Sequence, residues 1–367
     1  MANLLSSYDK HQYAYRPHGS TTAALLSIQE HVTQFLDEDN CWGVYMTALD
    51  LSKAFDKVPH RDLLKHLKGK VSGYFYNWLK DYLTNRLFRI RQSGHYSSLF
   101  TVSSGVPQGS VIAPYLFASY VSPLSPAFGN CKYVKYADDI TIIQPLMFPI
   151  TDYDDRELLH SKKWLESKGL VLNEKKTKTI LFAKKKLNSI AQTLPCDHKL
   201  TVLAVQWSCD FKWNSHVERV IRTCSSRLFL LRKLKPLVRK KDLITVYQAT
   251  IVSVLLYAAP LFVGLHKTLN ACLEKIRKRA HRIICDSSCD CELFPQIESL
   301  RLQRSVSLLR QAELNADHPL HELVPSRLPR SQALSMPLVL TYRRMDSFLP
   351  RTCCIMNASA IRTAYDL

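Results

Sequence analysis

The spacing of apolar and polar residues predicts helices and short strands along the chain. In residues 23–36 apolar side chains recur at the spacing of one helix face, and Ser20 just before them is a favourable N-cap residue. Residues 44–51 are an apolar, β-prone run that predicts a strand. The same patterns predict helices over residues 61–67, 74–83 and 154–168, a hairpin of residues 88–91 and 99–102 around Ser93-Gly94, a strand over residues 179–182, and mostly helices from about residue 211 to 284.

A second hairpin carries acidic residues at its tip. Two β-prone runs, residues 131–135 and 140–143, flank the segment Tyr136-Ala137-Asp138-Asp139. Adjacent strand residues point to opposite faces, but at a tight turn both carboxylates can converge on one spot. We therefore expect Asp138 and Asp139 to lie close together at one end of a sheet.

These two acids and Asp50, which lies at the end of the 44–51 strand, form a candidate metal site. Mg²⁺ prefers oxygen ligands, and a pair of such ions can stabilise both the attacking and the leaving oxygen of a phosphoryl transfer. An Asp-Asp pair taken alone is more often a solvated turn. Asp56, six residues after Asp50, lies past the strand end and is interpreted as a capping residue, not a metal ligand.

The composition indicates a globular protein with a polyanionic partner. The chain has 367 residues, a hydrophobic fraction of 46% and a net charge of +19. Residues 212–282 contain 16 Lys or Arg against 3 acids, so most of the excess charge lies in one predicted helical region. Such a bias favours contact with nucleic acid phosphates or an anionic membrane. Residues and spacing alone therefore indicate metal-dependent phosphoryl transfer on nucleic acid.

The sequence predicts an intracellular protein, in nucleus or cytoplasm, that is not secreted. The eleven cysteines form no small-domain framework and are interpreted as reduced thiols, and residues 1–9 lack the features of a signal peptide. Residues 243–265 carry no charge and are long enough to span a bilayer. Their polar residues and Pro260 favour a buried core helix, so no stable membrane association is expected.

Five segments, in order and spacing, resemble the polymerase of the non-LTR (LINE-type) retrotransposons, over about residues 12–285. They are Gln12-Tyr13-Ala14-Tyr15-Arg16 with Ser20-Thr21-Thr22, residues 49–60 (Leu49-Asp50-Leu51 through Pro59-His60), residues 104–114 around Val106-Pro107-Gln108-Gly109, Tyr136-Ala137-Asp138-Asp139, and residues 169–178. Compared with the family, the chain resembles a copy truncated at the N-terminus. It also has Ala204 where the family usually has Gly, a residue that would permit a positive φ.

The resemblance implies an α+β right-hand polymerase fold, with partial fingers, an antiparallel palm sheet backed by helices, and a helical thumb. The corresponding domain prediction is partial fingers over residues 1–40, a palm over residues 41–210, a basic helical thumb or connection over residues 211–285, and a C-terminal helical tail of unclear role over residues 286–367.

The resemblance also implies roles for individual residues. Asp50 and Asp138 are expected as direct ligands of two Mg²⁺ ions, with Mn²⁺ as an alternative metal. Asp139 is expected in a supporting or partial-ligand role, and the Leu51 carbonyl is expected to contribute a further oxygen.

Contacts with the incoming nucleotide are expected from Arg16, Phe55, Gln108, Gly109 and Lys176. Phe55 would block a 2′-OH, and the loop with Gln108 and Gly109 would approach the nucleotide or template. Arg16 and Lys176 would neutralise the triphosphate, and Lys176 could also donate a proton to pyrophosphate. The alternatives are a core aromatic for Phe55, a polar loop residue for Gln108, and a solvated lysine run for Lys175, Lys176 and Lys178.

The function implied is RNA-directed DNA polymerisation, in which dNTPs are added to a DNA primer 3′-OH on an RNA template. A catalytically inactive copy that only binds nucleic acid is the alternative, and a membrane-attached basic protein is a weaker one. The sequence does not indicate which proteins, if any, are partners.

Overall fold

The computed structural model describes residues 9–147, 155–184, 196–285, 294–328, 333–336 and 342–365. Contacts divide the chain into two compact units. Unit 1 comprises Met1–Gly19, Met46–Gln144 and Ile150–Thr179, and unit 2 comprises Ser20–Tyr45, Pro145–Pro149 and Ile180–Leu367.

The mixture of helices and short strands confirms the predicted α+β class. The helices are α1 (Thr21–Asp37), α2 (Ala54–Lys57), α3 (His60–Leu67), α4 (Gly73–Leu83), α5 (Ala113–Val121), α6 (Arg156–Ser167), α7 (Asn214–Leu234), α8 (Lys240–Tyr247), α9 (Ser253–Leu255), α10 (Lys267–Ile284), α11 (Ile297–Leu314), α12 (Tyr342–Met345) and α13 (Phe348–Tyr365). The strands are β1 (Cys41–Leu49), β2 (Arg86–Phe88), β3 (Arg91–Gln92), β4 (His95–Tyr96), β5 (Phe100–Val102), β6 (Lys132–Tyr136), β7 (Asp139–Met147), β8 (Lys178–Ala183), β9 (Lys199–Val202) and β10 (Val205–Ser208).

A four-stranded sheet has the strand order β6-β7-β1-β8. Strands β6 and β7 pair antiparallel, and the register ends at Tyr136↔Asp139, which leaves Ala137 and Asp138 as a two-residue turn. The hairpin predicted around the acidic segment is therefore confirmed. The strands at residues 44–51 and 179–182 are also confirmed, as β1 and β8, with boundaries shifted by a few residues.

The other predicted hairpin is also present, and we call residues 86–102 the β-arm. Its base is the pairing of β2 with β5, and its tip is the pairing of β3 with β4, where Ser93 and Gly94 adopt positive φ values of 48° and 86°. Such values are those of a tight hairpin turn. At the base, the Arg86 guanidinium lies 5.2 Å from the Tyr82 ring centroid and donates to the Tyr82 carbonyl, which anchors the β-arm to α4.

An apolar cluster beneath these elements forms the core of unit 1. Helices α3, α4 and α5 contribute Leu63, Leu67, Leu79, Leu116 and Phe117, all fully or almost fully buried. In α3 the buried leucines recur at helical spacing, which is why this short helix has one strongly apolar face. Truncating one such leucine typically costs about 2–5 kcal/mol, so the core fixes the elements that carry the acidic strand ends.

Unit 2 is mainly helical, and α7 packs along α10. The uncharged segment 243–265 does not form one continuous buried helix. Its first half buries one face, with Leu243, Tyr247 and Ile251, and only residues 255–265 are mostly buried. After α8 it continues as a π-helical turn, the short α9 and a 3₁₀ turn at Ala259–Phe262. Ala258 has a φ of 48°, and this left-handed residue, two positions before Pro260, ends the α-helical path. In the described ranges, no helix is both long and apolar enough to cross a membrane.

The C-terminal helices of unit 2 pack against α1. The Arg344 guanidinium lies 3.0 Å from a Glu30 carboxylate oxygen and 3.5 Å from one of Asp37, and all three side chains are largely buried. The Phe348 amide donates to the Gln29 side chain at 3.2 Å. The tail is therefore tied to the first helix by polar contacts as well as by apolar packing.

Candidate active site

The three acids of the candidate site lie at the ends of neighbouring strands in unit 1. Asp50 follows β1, and Asp138 and Asp139 form the turn and start of β7, which is next to β1 in the sheet. Partial desolvation, and then the negative charges of Asp138 and Asp50, raise the pKa of the Asp139 carboxyl above its ordinary value. The three carboxylates are therefore close enough to interact, as predicted from the sequence.

The turn between these acids is held by a residue far away in the chain. Ala137 has a φ of 58°, a conformation that costs a non-glycine residue about 1–2 kcal/mol. The side-chain oxygen of Gln12 accepts hydrogen bonds from the amides of Ala137 at 3.0 Å and Ala14 at 3.1 Å. Gln12 is buried, so its amide group is a fixed support for the turn.

The segment that carries Gln12 is fastened to β6 by backbone and charged contacts. The Tyr13 amide donates to the Lys135 carbonyl at 2.8 Å, and the Lys135 amide donates to the His11 carbonyl at 2.7 Å. The Lys135 ammonium is completely buried and lies 2.6 Å from the Asp9 carboxylate. Burial lowers the pKa of Lys135, while Asp9 favours its charged form. This ion pair therefore anchors the segment just before the acidic turn.

Tyr15 belongs to the site although its position could not be predicted. The pKa of the Tyr15 phenol is raised by desolvation, and then by the negative charge of Asp138. Its ring is partly exposed and lies 6.2 Å from that of Tyr115. The Tyr15 ring therefore stands beside the acidic turn. No sequence pattern indicates this contact, because it depends on how the N-terminal segment folds back on β6.

Lys176 is brought towards Asp50 by backbone pairing of residues 171–177. The Asn173 amide donates to the Asp50 carbonyl at 2.7 Å, and the Asp50 amide donates to the Thr177 hydroxyl at 3.4 Å. Leu51 forms a bridge with Leu172 in the same stretch. Lys176 itself is exposed at the turn between these contacts. Lys176, the candidate cation, therefore lies on a segment that is hydrogen-bonded to the backbone of Asp50.

Phe55 and Gln108 are linked by the loop that follows the β-arm. The Phe55 ring is half-buried and stacks on Phe117, with ring centroids 4.5 Å apart. The Gln108 side chain donates to the Asp56 carboxylate at 2.7 Å, and Gly109 next to it has a φ of 82°. Asp56 therefore holds the loop, a more specific role than the capping role predicted from the sequence.

A glycine makes this contact possible. Gly105 has a φ of 92°, and a Cβ there would lie 2.9 Å from the Asp56 carbonyl oxygen. The amides of Gly105 and Val106 donate to the carbonyls of Val58 and Phe55, both at 2.8 Å. The loop with Gln108 is thus packed directly against α2, which follows Asp50.

Arg16 is held within its own turn. Its guanidinium donates to the Gln12 carbonyl at 3.5 Å, and its side chain is partly buried. Arg16 is therefore in the segment that supports the acidic turn.

The donor chemistry of the site fits a hard divalent cation, because carboxylate oxygens are the ligands that such ions prefer. A cation would also offset the mutual repulsion that raises the pKa of Asp139. Within the described ranges, however, no group of three or more His, Cys, Asp or Glu side chains is arranged to hold a metal ion. The structure thus shows the charge coupling of the three acids without a coordination geometry.

Comparison with known families decides the affiliation of the chain. Residues 1–214 match the model of the reverse transcriptase (RNA-dependent DNA polymerase) family. The chain belongs to this family. Reverse transcriptases depend in general on divalent metal ions, in agreement with the acids described above. The right-hand polymerase fold expected from the sequence is therefore also supported by family membership.

The curated relatives come from mobile elements of Drosophila. A probable RNA-directed DNA polymerase from transposon BS of Drosophila melanogaster is 25% identical over 75% of the chain and 32% of the relative. One from transposon X-element of the same species is 30% identical over 36% of the chain and 15% of the relative. The polymerase from mobile element jockey of Drosophila funebris is 26% identical over 47% of the chain and 20% of the relative.

These relatives confirm the resemblance to the non-LTR reverse transcriptases. The chain spans about a third or less of the length of each of them. Among solved structures, a telomerase of Candida tropicalis in complex with a fragment of telomeric RNA is 13% identical over 88% of the chain and 54% of that protein, with a TM-score of 0.45.

Proposed function

We propose that the chain is an RNA-directed DNA polymerase of a non-LTR retrotransposon. It would add dNTPs to a DNA primer 3′-OH on an RNA template: the 3′ oxygen bonds to the α-phosphorus, and pyrophosphate leaves. The observation that carries the proposal is the electrostatic coupling of Asp50, Asp138 and Asp139 at adjacent strand ends, in a chain that belongs to the reverse transcriptase family.

Asp50, Asp138 and Asp139, with the Leu51 carbonyl, are the residues that would hold a pair of Mg²⁺ ions, or Mn²⁺ in their place. Such ions supply positive charge to the attacking and leaving oxygens of the transfer. The protein contributes the rigidity of the acidic turn, which Gln12 supports through the Ala137 amide.

The surroundings of the acids support the nucleotide contacts. Phe55, stacked on Phe117, presents a fixed ring that would exclude a 2′-OH by its bulk. Gln108 and Gly109 lie exposed on a loop braced by Asp56, where they can reach a base pair. Lys176, on the segment bonded to Asp50, would neutralise the triphosphate and could protonate the pyrophosphate. Arg16 would contribute a second cation from the segment beside the turn.

The net charge of +19 supports a contact with the template and primer that is dominated by backbone phosphates. An RNA–DNA hybrid is expected to be recognised mainly by its shape and backbone, because side chains cannot read its deep, narrow groove.

Primer extension tests the proposal. The protein is incubated with an RNA template, a labelled DNA primer, dNTPs and Mg²⁺, beside Asp138→Asn and the control Asp62→Asn, an exposed acid on α3. Extension by the wild type and by Asp62→Asn, but none by Asp138→Asn, is the expected result. If none of the three extends while all bind the primer–template, the chain is a binding protein without polymerase activity.

A further inference from the structure

The β-arm exposes several large apolar side chains. Phe88, Tyr96 and Phe100 are exposed to 48%, 52% and 45%. The aliphatic side chains Leu87, Ile90 and Leu99 are also exposed. A group of exposed apolar side chains on one short hairpin is a candidate interaction surface, whereas single exposed apolar residues need no explanation.

Two of the aromatic rings of the β-arm, those of Phe88 and Phe100, form a platform. Phe88 and Phe100 are directly opposite each other in the pairing of β2 with β5, and their centroids lie 5.4 Å apart at an interplanar angle of 30°. Residues opposite each other in an antiparallel pair point to the same face, so both rings are on one side of the ribbon. They belong to no buried cluster in the described structure and are free to accept a further planar group.

Arginines accompany these rings. The Arg89 guanidinium lies 4.0 Å from the Tyr96 ring centroid, and that of Arg91 lies 5.6 Å from it. Both arginines are exposed, and neither forms an ion pair with any residue that the structure describes. No Asp or Glu occurs between Asp81 and Asp138, so the β-arm has no acidic neighbour along the chain. Its charge is therefore available to an anionic partner.

Exposed aromatic rings next to arginines without an ion-pair partner in the described structure match the chemistry of a single-stranded nucleic acid. Unpaired bases stack on aromatic side chains, and guanidinium groups bind phosphates through paired hydrogen bonds. A duplex offers only its phosphates to such a surface, because its base faces are already stacked. An apolar protein partner would leave Arg89 and Arg91 without counter-charges. We propose that the β-arm binds single-stranded nucleic acid, with bases on Phe88, Tyr96 and Phe100 and phosphates on Arg89 and Arg91.

This contact goes beyond the proposed polymerisation and uses none of its residues. The feature that the β-arm would recognise is an unpaired base next to a phosphate, and both single-stranded RNA and single-stranded DNA have it. Binding is therefore measured by fluorescence anisotropy without dNTPs or divalent metal, with labelled oligouridine RNA, oligothymidine DNA and an RNA duplex in separate titrations. A failure of polymerase activity leaves these measurements unaffected.

The main variant is Phe88→Ala/Tyr96→Ala/Phe100→Ala, and its control is Tyr74→Ala, an exposed aromatic outside the β-arm. Stacking is worth on the order of 1–3 kcal/mol per base, and each 1.4 kcal/mol is about tenfold in affinity. We expect the triple variant to bind the single strands at least about tenfold more weakly and the duplex with little change. Tyr74→Ala is expected to bind all three ligands as the wild type does.

A charge variant tests the phosphate contacts separately. Each phosphate contact with a single strand contributes about 0.7 to the slope of log affinity against log salt. Arg89→Gln/Arg91→Gln should therefore lower that slope by about 1.4. The control Arg61→Gln/Lys68→Gln removes the same charge from exposed positions of α3 and its C-cap and should keep the slope.

The replaced side chains are exposed, so every variant should remain folded, and only the triple variant should show a small drop in its thermal unfolding midpoint, because it loses the Phe88–Phe100 contact. Single-strand affinity of the triple variant within twofold of the wild type would overturn the proposal. An equal loss of single-strand and duplex affinity would also overturn it. If the triple variant binds normally but light scattering shows that it has lost self-association, the surface serves a second copy of this chain instead.

Discussion

Asp139 is partly desolvated, and it is repelled by the other two acids of the site, Asp50 and Asp138. Desolvation and the charges of Asp138 and Asp50 raise its pKa above the ordinary value of 3.8. For a carboxyl whose pKa is raised on folding, the stabilising contribution is present below the ordinary value and is lost as the pH rises through the raised value. At neutral pH the ionised Asp139 therefore destabilises the metal-free protein.

Asp139→Asn is expected to stabilise the metal-free protein at neutral pH, because it removes one of the three repelling charges. The gain should be less than about 1 kcal/mol, since the side chain reaches solvent. Thermal unfolding in a chelating buffer, at neutral pH and near pH 4, provides the measurement. The two proteins should differ at neutral pH and converge at acid pH, whereas Asp81→Asn, an exposed control, should match the wild type at neutral pH. A lower midpoint for Asp139→Asn at neutral pH would contradict this account.

Gln12 is a positioning residue, because it acts on the acids only through the turn. Replacing it with Met keeps the volume but leaves the amides of Ala137 and Ala14 without their acceptor. A buried N–H donor without an acceptor costs about 1–3 kcal/mol. The two amides would therefore shift towards other acceptors, and this shift would displace the turn that carries Asp138. We expect Gln12→Met to slow single-nucleotide addition by at least about tenfold, since each 1.36 kcal/mol of barrier is tenfold in rate. The affinity for primer–template should stay within twofold.

Gln34→Met makes the same change on the exposed face of α1 and is the matched control. Single-turnover rates and separate binding titrations distinguish the two effects. An addition rate for Gln12→Met close to that of the wild type would show that the turn keeps its shape without this acceptor.

The positions of the three acids could be predicted from the sequence, whereas the residues that contact the acidic turn and its neighbouring loop could not. Asp50, Asp138 and Asp139 lie beside strands whose β-prone patterns are local, so their convergence followed from the hairpin and the sheet. Gln12 and Tyr15 act through contacts with residues more than a hundred positions away, and Asp56 acts through Gln108 across the β-arm. Such contacts depend on tertiary structure and leave no periodic signal.

Turn chemistry explains why hairpins were the most predictable elements. The hairpin of β9 and β10 nevertheless has a two-residue turn, Leu203-Ala204, in which both residues have positive φ, 44° and 62°. Such a turn favours Asn and Gly. Here Arg219 donates to the Ala204 carbonyl and the Tyr257 hydroxyl donates to the Leu203 carbonyl at 2.8 Å. These side chains hold the hairpin in shape without the glycine expected at position 204.

Ala204→Gly is therefore expected to stabilise the protein by about 1 kcal/mol, because it relieves a left-handed conformation. Ala271→Gly, on the exposed surface of α10, should have the opposite effect by about the same amount, since glycine weakens a helix. The midpoints of urea unfolding measure both. A loss of stability in Ala204→Gly would mean that the two carbonyl contacts already remove the strain.

Helix boundaries in unit 2 were less predictable than hairpins. The apolar composition of residues 243–265 indicated burial, which holds mainly for residues 255–265, and the left-handed backbone of Ala258 was not predictable from the sequence. The docking of Arg344 against Glu30 and Asp37 likewise joins distant parts of the chain. Composition therefore predicted in part which residues are buried, whereas tertiary contacts determine where the helices begin and end.

At the scale of the whole molecule, charge and family membership point to the same partner. The net charge of +19 and the reverse transcriptase match both favour a nucleic acid ligand. The α+β class and the affiliation were predictable because five motifs occur in order. The aromatic exposure of the β-arm was not, because a strand pattern shows which residues are apolar and does not show whether another element covers them.

Asp50 and Asp138, and not Asp56, are the residues proposed to hold the catalytic cations. Electron paramagnetic resonance of Mn²⁺ tests this proposal most directly, in the complex of the protein with an RNA template, a chain-terminated primer and a dNTP. We predict that the wild type and Asp56→Asn hold a pair of Mn²⁺ ions, and that Asp50→Asn and Asp138→Asn each lose at least one. Full Mn²⁺ binding by Asp138→Asn, or an equal loss in Asp56→Asn, would contradict the account.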